Sequence, residues 1–170
     1  DTVIAKDADV AIISNNATSV AQVNFIKGAT NYTGVITAGV SDSAANLSNL
    51  NSDDNVQISI TVTAGAADAA HLKLVSAATG LTVNALATNA INGSGSDVLD
   101  VINDTGITKA TNFTVSASGA IDVATAKAIA AGTTGQVDFT GSITDTAAAM
   151  ASAVDGSEVA DFGIATDGSG

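Results

Sequence analysis

The chain has 170 residues, 46% of them apolar, which is enough to bury a core. Its net charge of -12, from sixteen Asp and one Glu against five Lys and no Arg, argues against nucleic acid or any other phosphate-rich partner. Cysteine and proline are both missing, which removes disulfides, thiolate metal sites, cysteine nucleophiles and stiff proline linkers together.

Taken in order, strand-like runs recur along the chain: DVAIIS centred on Ile12, GVITAGV on Ile36, QISITVTA on Ile60, LTVNALA on Val83, NFTVSAS on Val115, QVDFT on Asp138 and VADFGIA on Phe162. Successive centres recur with a period of about 24 residues, except for one longer step from Val83 to Val115. The long step is assigned to a Gly/Ser-rich insertion, AINGSGSD at 90–97, in a loop that tolerates extra length. Between strands lies a capping residue followed by an apolar helical stripe. These are Thr18-Ser19 before VAQVNFI, Asp42 before SAANLSNL, Asp68 before AAHLKLVSA, Ser96-Asp97 before VLDVIN, Asp122 before VATAKAIAA and Asp145 before TAAAMASA.

A strand, a short helix and a next strand in about 24 residues form a compact right-handed crossover that keeps neighbouring strands parallel. The expected fold is therefore an α/β solenoid of about 24-residue coils, each a strand and a short helix, with a parallel sheet on one side. A parallel β-solenoid, with the SDSAAN-type segments as turns, is the alternative. The geometry is that of leucine-rich repeats, but their L-x-x-L-x-L-x-x-N pattern does not occur. Residues 1–170 are expected to form one repeat domain, a module of a longer chain. Alternate helices look most alike, each with one lysine (Lys27, Lys73, Lys127) and a closing Thr, so two coils make the larger unit. Ile58, Ile60 and Val62 alternate with Gln57, Ser59, Thr61 and Thr63, and Phe113, Val115 and Ala117 with Thr114, Ser116 and Ser118. One strand face is thus apolar and the other hydroxylated, and the second is expected to meet solvent or a polar partner.

Candidate sites are few. Asp42, Asp68, Asp97, Asp122 and Asp145 stand at helix starts, where capping and the helix dipole explain a carboxylate. Asp53 and Asp54, Asp97 and Asp100, and Asp155 with Glu158 exceed what capping needs and are the candidate calcium ligands, although no EF-hand or glycine-rich calcium nonapeptide occurs. His71 is the sole histidine and lies on a helical stripe without the partners of a triad or zinc site. No enzyme activity is expected. Thr61 and Thr63 form a T-x-T that resembles the ladders of ice-binding solenoids, on one strand only. Six N-x-[ST] sequons occur, at Asn16, Asn31, Asn46, Asn92, Asn103 and Asn112. No run of about 20 apolar residues is present, so no membrane span is expected. The opening DTVIAKDADV has no basic region followed by an apolar stretch, so any secretion signal is expected outside this chain.

The units SDSAANLSNL and TDTAAAMASA each follow a TG-plus-aliphatic or aliphatic-TG strand and precede another strand. They resemble the tandem Ser/Thr-Asp-Thr/Ser-Ala-Ala repeats of large secreted bacterial surface proteins, particularly cyanobacterial ones. The resemblance implies an extracellular or cell-surface adhesin, S-layer-like or filament-forming role, often in company with calcium. It implies self-assembly with identical subunits or flanking repeats. The alternative is a module that binds glycan or protein on the exposed Ser/Thr sheet face.

Overall fold

The computed structural model describes residues 12–28, 36–51 and 56–154. The architecture is mixed α/β, with two parallel sheets and alternating strands and helices. Sheet A takes strands in the order β1 (Ile12–Ala17), β2 (Ile36–Asp42), β3 (Val56–Val62), β5 (Val83–Ala85) and β7 (Ile107–Lys109). Sheet B takes β4 (Gly65–Asp68), β6 (Thr88–Ser94), β8 (Thr114–Ser118) and β9 (Val137–Phe139). The helices are α1 (Val20–Lys27), α2 (Ala44–Leu47), α3 (Ala69–Ala77), α4 (Gly95–Asn103), α5 (Val123–Ala131) and α6 (Ala147–Val154). From β3 to α5 the order sheet A strand, sheet B strand, helix occurs three times in succession.

The second sheet corrects the expectation of a single one. Val83 belongs to sheet A and Val115 to sheet B, so the apparent long step between them crossed from one sheet to the other. At the centre of each sheet the step is the same: Val83 pairs with Ile107 and Ala90 with Thr114, about 24 residues in both, whereas the β2–β3 step is shorter, with Ile36 on Val56. The 90–97 segment is therefore no insertion loop, because it forms most of β6 and the first turn of α4. Gly93, at φ +155°, holds a conformation that L side chains rarely adopt. A Cβ there would sit 3.1 Å from that of Ala69, so the glycine serves close packing and not loop length. The strand-like run around Phe162 lies outside the described residues.

Alternation along the strands sets the core, as read from the sequence for β3 and β8. Ile36, Ala38 and Val40 of β2, Ile58, Ile60 and Val62 of β3, and Val115 and Ala117 of β8 point inward and are buried. The helices meet them with Val23, Leu47, Leu72 and Val75, Val98 and Val101, and Ala126 and Ile129, the pairs at the three-residue spacing of one helical face. Small side chains keep this core thin. Alanines such as Ala38, Ala67, Ala69 and Ala117 lie buried between the layers, where larger residues would push sheet and helix apart.

Each helix begins where a strand or corner ends, and its cap is local. Ser19 makes a reciprocal capping box with Gln22. Asp68 and Asp122 cap α3 and α5 as their sequence positions predict. At the other starts the hydroxyl of a neighbour serves: Ser43 for α2, Ser94 for α4 and, in place of the expected Asp145, Thr146 for α6, whose Oγ1 accepts from Ala149 N–H at 3.3 Å. Asp42 supports the first of these by accepting from Ser43 N–H at 2.7 Å and from the Asn46 side-chain amide at 2.8 Å. Asp97 supports the second from inside the helix, accepting from Ser94 Oγ at 2.6 Å.

Hydrogen bonds also tie successive layers together. Asn24 of α1 donates to the Asn49 carbonyl at 2.6 Å and accepts from Asn51 N–H at 2.9 Å. After α3, Thr79 Oγ1 donates to the Ile58 carbonyl at 2.8 Å and accepts from Leu81 N–H. After α5, Thr133 Oγ1 donates to the Phe113 carbonyl and accepts from Gly135 N–H. After α4 the same local turn is closed by Asp104, whose Oδ1 accepts from Gly106 N–H at 2.7 Å. Among the described residues the closing Thr thus follows α3 and α5 and not α4, while Thr30 after α1 lies outside them.

Candidate functional site

Of the candidate calcium ligands, Asp53, Asp54 and Asp155 lie outside the described residues, as does Glu158. Asp97 and Asp100 stand one turn apart on α4, and the structure does bring them together, around a cation of the protein's own. Lys73 Nζ, from the neighbouring α3, lies 2.8 Å from Asp97 Oδ1 and 2.6 Å from Asp100 Oδ2. The Lys73 hydrogen bond, reinforced by that from Ser94, holds the Asp97 carboxyl below its ordinary range. Asp100, then Asp97, push the lysine up in turn. A calcium ion bound between these carboxylates would have to displace that ammonium. Among the described residues no group of three or more His, Cys, Asp or Glu side chains is placed to hold a metal ion.

Asp122 and Asp145 serve the backbone. Asp122 Oδ1 accepts from Thr125 N–H at 2.7 Å, and the bonds to Thr125 lower its pKa. Asp145 accepts from Thr146 N–H at 2.7 Å and from Val123 N–H at 3.2 Å, so it links the starts of α5 and α6. His71 is half-buried in the first turn of α3, with its own backbone N–H on Asp68. An open groove of about 370 Å³ runs between the starts of α4 and α5, lined by Ser94, Ser96, Asp100, Ser118, Asp122 and Thr125. Ser94 and Asp122 are engaged as caps, and Ser118 Oγ donates to the Gly93 carbonyl at 3.0 Å. No family model, curated protein or solved structure matches this chain. Any reading of function therefore rests on its own surfaces.

Two of those surfaces are sheet faces. Thr61 faces outward from sheet A in a row that runs Ser41, Thr61, Asn84, Thr108 across four strands. A second row runs Ile13, Thr37, Gln57, and a third Ala17, Gly39, Ser59. Thr63, the other half of the T-x-T, follows the end of β3 and is exposed. On sheet B the row is Asp68, Asn92, Ser116, Asp138, with carboxylates at both ends. Among the sequon asparagines, Asn92, Asn103 and Asn112 are exposed, whereas Asn46 is exposed but hydrogen-bonded to Asp42. No helix among the described residues is long and apolar enough to cross a membrane.

Two lysines have roles that the sequence did not announce. Lys73 reaches Asp97 one period ahead, so aligning the helices on that period would have found the pair. Lys109 gives no such signal. Its Nζ turns back to the carbonyls of Asp104 at 2.8 Å and Ile107 at 3.0 Å, and burial pushes its pKa down.

Proposed function

We propose that this chain is a solenoid, with coils of about 24 residues, that serves as a structural repeat segment of an extracellular surface layer, adhesin or filament, acting through self-assembly. The observation that carries the reading is the step shared by the central strands of the two sheets, in which Val83 on Ile107 and Ala90 on Thr114 are separated by one and the same period. A chain built by repetition of one coil contacts mainly its sequence neighbours, so rigidity grows with each added coil. Cross-layer ties at Asn24, Thr79, Thr133 and Lys73 add stiffness in the same direction. Asp68 and Asp122 cap helices, and Asp42, Asp97 and Asp145 are hydrogen-bonded at helix starts, which supports a structural role over a catalytic one.

The test is the solution mass of the purified chain by light scattering, with millimolar calcium and with chelator. A mass several times that of the 16.4 kDa chain is the expected result. A folded monomer under both conditions refutes self-assembly by this segment. In that event the Ser41, Thr61, Asn84, Thr108 row favours the second reading, a module that binds a neutral glycan or a protein on its sheet face.

A further inference from the structure

Sheet A ends at β7, while sheet B goes on from β8 to β9. Among the described strands none pairs with the outer side of β7, and an edge of that kind is a ready template for a strand of another chain. The ladder fixes which groups face outward there. Val83 N–H donates to the Gly106 carbonyl at 2.8 Å, so Gly106 and Thr108 turn their ladder groups toward β5, while Ile107 and Lys109 turn theirs to the open side.

Lys109 closes that edge in two ways. Its ammonium lies on the edge itself, where Nζ donates to the Ile107 carbonyl at 3.0 Å and to the Asp104 carbonyl at 2.8 Å. Ile107 N–H turns to the same Asp104 carbonyl, at 3.4 Å. An incoming strand needs the Ile107 carbonyl for one of its own N–H groups, and to reach it a neutral amide must displace a charged donor. Lys109 also stands at an inward position. Ile107 is buried and Thr108 exposed, so by alternation the lysine starts on the core side, and Ala85, its partner on β5, is 1% exposed. At the edge its side chain bends out to the two carbonyls. Beneath an added strand the same position would be interior, and the ammonium would be cut off from water and from the Ile107 carbonyl together. Both devices, a lysine on the edge and a charge at an inward position, are known protections of exposed strands.

We propose that Lys109 is an edge guard, which keeps β7 from pairing with a strand of a second copy of this chain. The proposal goes beyond the self-assembly reading and does not depend on it, because it names a route by which copies are kept from joining, whatever other contact they use. The charge is the working part. Removing it frees the Ile107 carbonyl and leaves an inward side chain that tolerates a neighbouring strand. A lysine that merely closed the turn after α4 would cost stability when replaced and leave association as it was.

The experiment is sedimentation equilibrium from micromolar to millimolar concentration at one salt concentration, on the purified wild type, Lys109→Met, Lys109→Arg and Lys73→Met, each first shown to fold by circular dichroism. Lys109→Met is expected to lower the dissociation constant for self-association by about tenfold or more, as loss of one charged hydrogen bond from the competing closed edge would. Lys109→Arg keeps the charge and is expected to behave as wild type. Lys73→Met removes the same charge from the helical side and is expected to change association less than about twofold. Amide hydrogen exchange then locates the contact, since the outward N–H of residue 109 should exchange more slowly in the associated Lys109→Met chain. Lys109→Gln takes the place of Lys109→Met should the latter fail to fold. A folded neutral variant that associates no more tightly than wild type overturns the guard. So do equal effects of Lys109→Met and Lys73→Met, tight association of Lys109→Arg, or association that leaves exchange at residue 109 unchanged. Each comparison is made against wild type, so a monomeric wild-type chain removes the self-assembly reading while leaving this test intact.

Discussion

Helix α3 offers a test of the packing in which two leucines two residues apart have opposite roles. Leu72 is 0% exposed and packs in the main core, while Leu74 is 56% exposed. Replacing Leu72 with Ala removes the equivalent of three methylenes, about 2.4 kcal/mol at ~0.8 kcal/mol each. The cavity left behind adds to this, because the parallel strands on one side and α2 and α4 on the other cannot both relax into it. A total of about 3–5 kcal/mol is expected. Leu74→Ala should stay within about 0.5 kcal/mol, the range of ordinary surface substitutions. Urea unfolding followed by circular dichroism measures both, and for a chain of this size the Leu72 variant should melt roughly 6–15 °C lower. Similar losses for the two variants, or a larger one for Leu74, would refute the assignment of the inner face of α3.

Three further outcomes are expected. Gly95→Ala places a good helix former in the first turn of α4, which ordinarily stabilises by about 1 kcal/mol, yet the new Cβ would run into Ile121 Cγ2. A net loss of about 1–2 kcal/mol should appear in thermal melts, and a gain would mean that Ile121 has room to move. Thr133→Val keeps the shape but removes the bonds to the Phe113 carbonyl and from Gly135 N–H, and should cost about 1–3 kcal/mol in urea unfolding, whereas no loss would show the tie to be idle. Asp42, Asp97 and Asp122 have folded pKa values below the unfolded one, so their stabilisation is complete above about pH 4 and disappears as pH falls through the depressed values. The urea midpoint should therefore drop between about pH 5 and pH 2. Asp122→Asn, which still caps α5 but cannot titrate there, should make that drop shallower, and an unchanged slope would remove Asp122 from the account.

The sequence alone placed all six helices and the inward faces of β3 and β8, because local chemistry decides these features. A capping oxygen followed by apolar residues three and four apart has few stable outcomes besides a short helix, and alternation at every second residue has few besides a half-buried strand. The same reasoning identifies Asp68 and Asp122 as caps. It places the start of α4 two residues late, since Ser94, Ser96 and Asp97 are all competent caps and only the observed bond from Asp97 N–H to Ser94 Oγ distinguishes them.

What the tertiary structure decided was sheet membership and the use of charge. Strands β5 and β6 are separated by Leu86 and Ala87 alone, and nothing local says that the chain turns a corner there and enters a second sheet. Strands β4, β6 and β7 read locally as corner or loop because Gly65, Gly93 and Gly106 lie in or beside them, yet in a parallel sheet the partner strand supplies the order that propensity lacks. The carboxylates of Asp97 and Asp100 suggested calcium in one dimension and accepted Lys73 in three, because the helix before them brings an ammonium within salt-bridge distance of both. Periodicity is a property of neighbours along the chain, whereas pairing belongs to neighbours in the sheet, and the second depends on how each strand and helix closes onto the last.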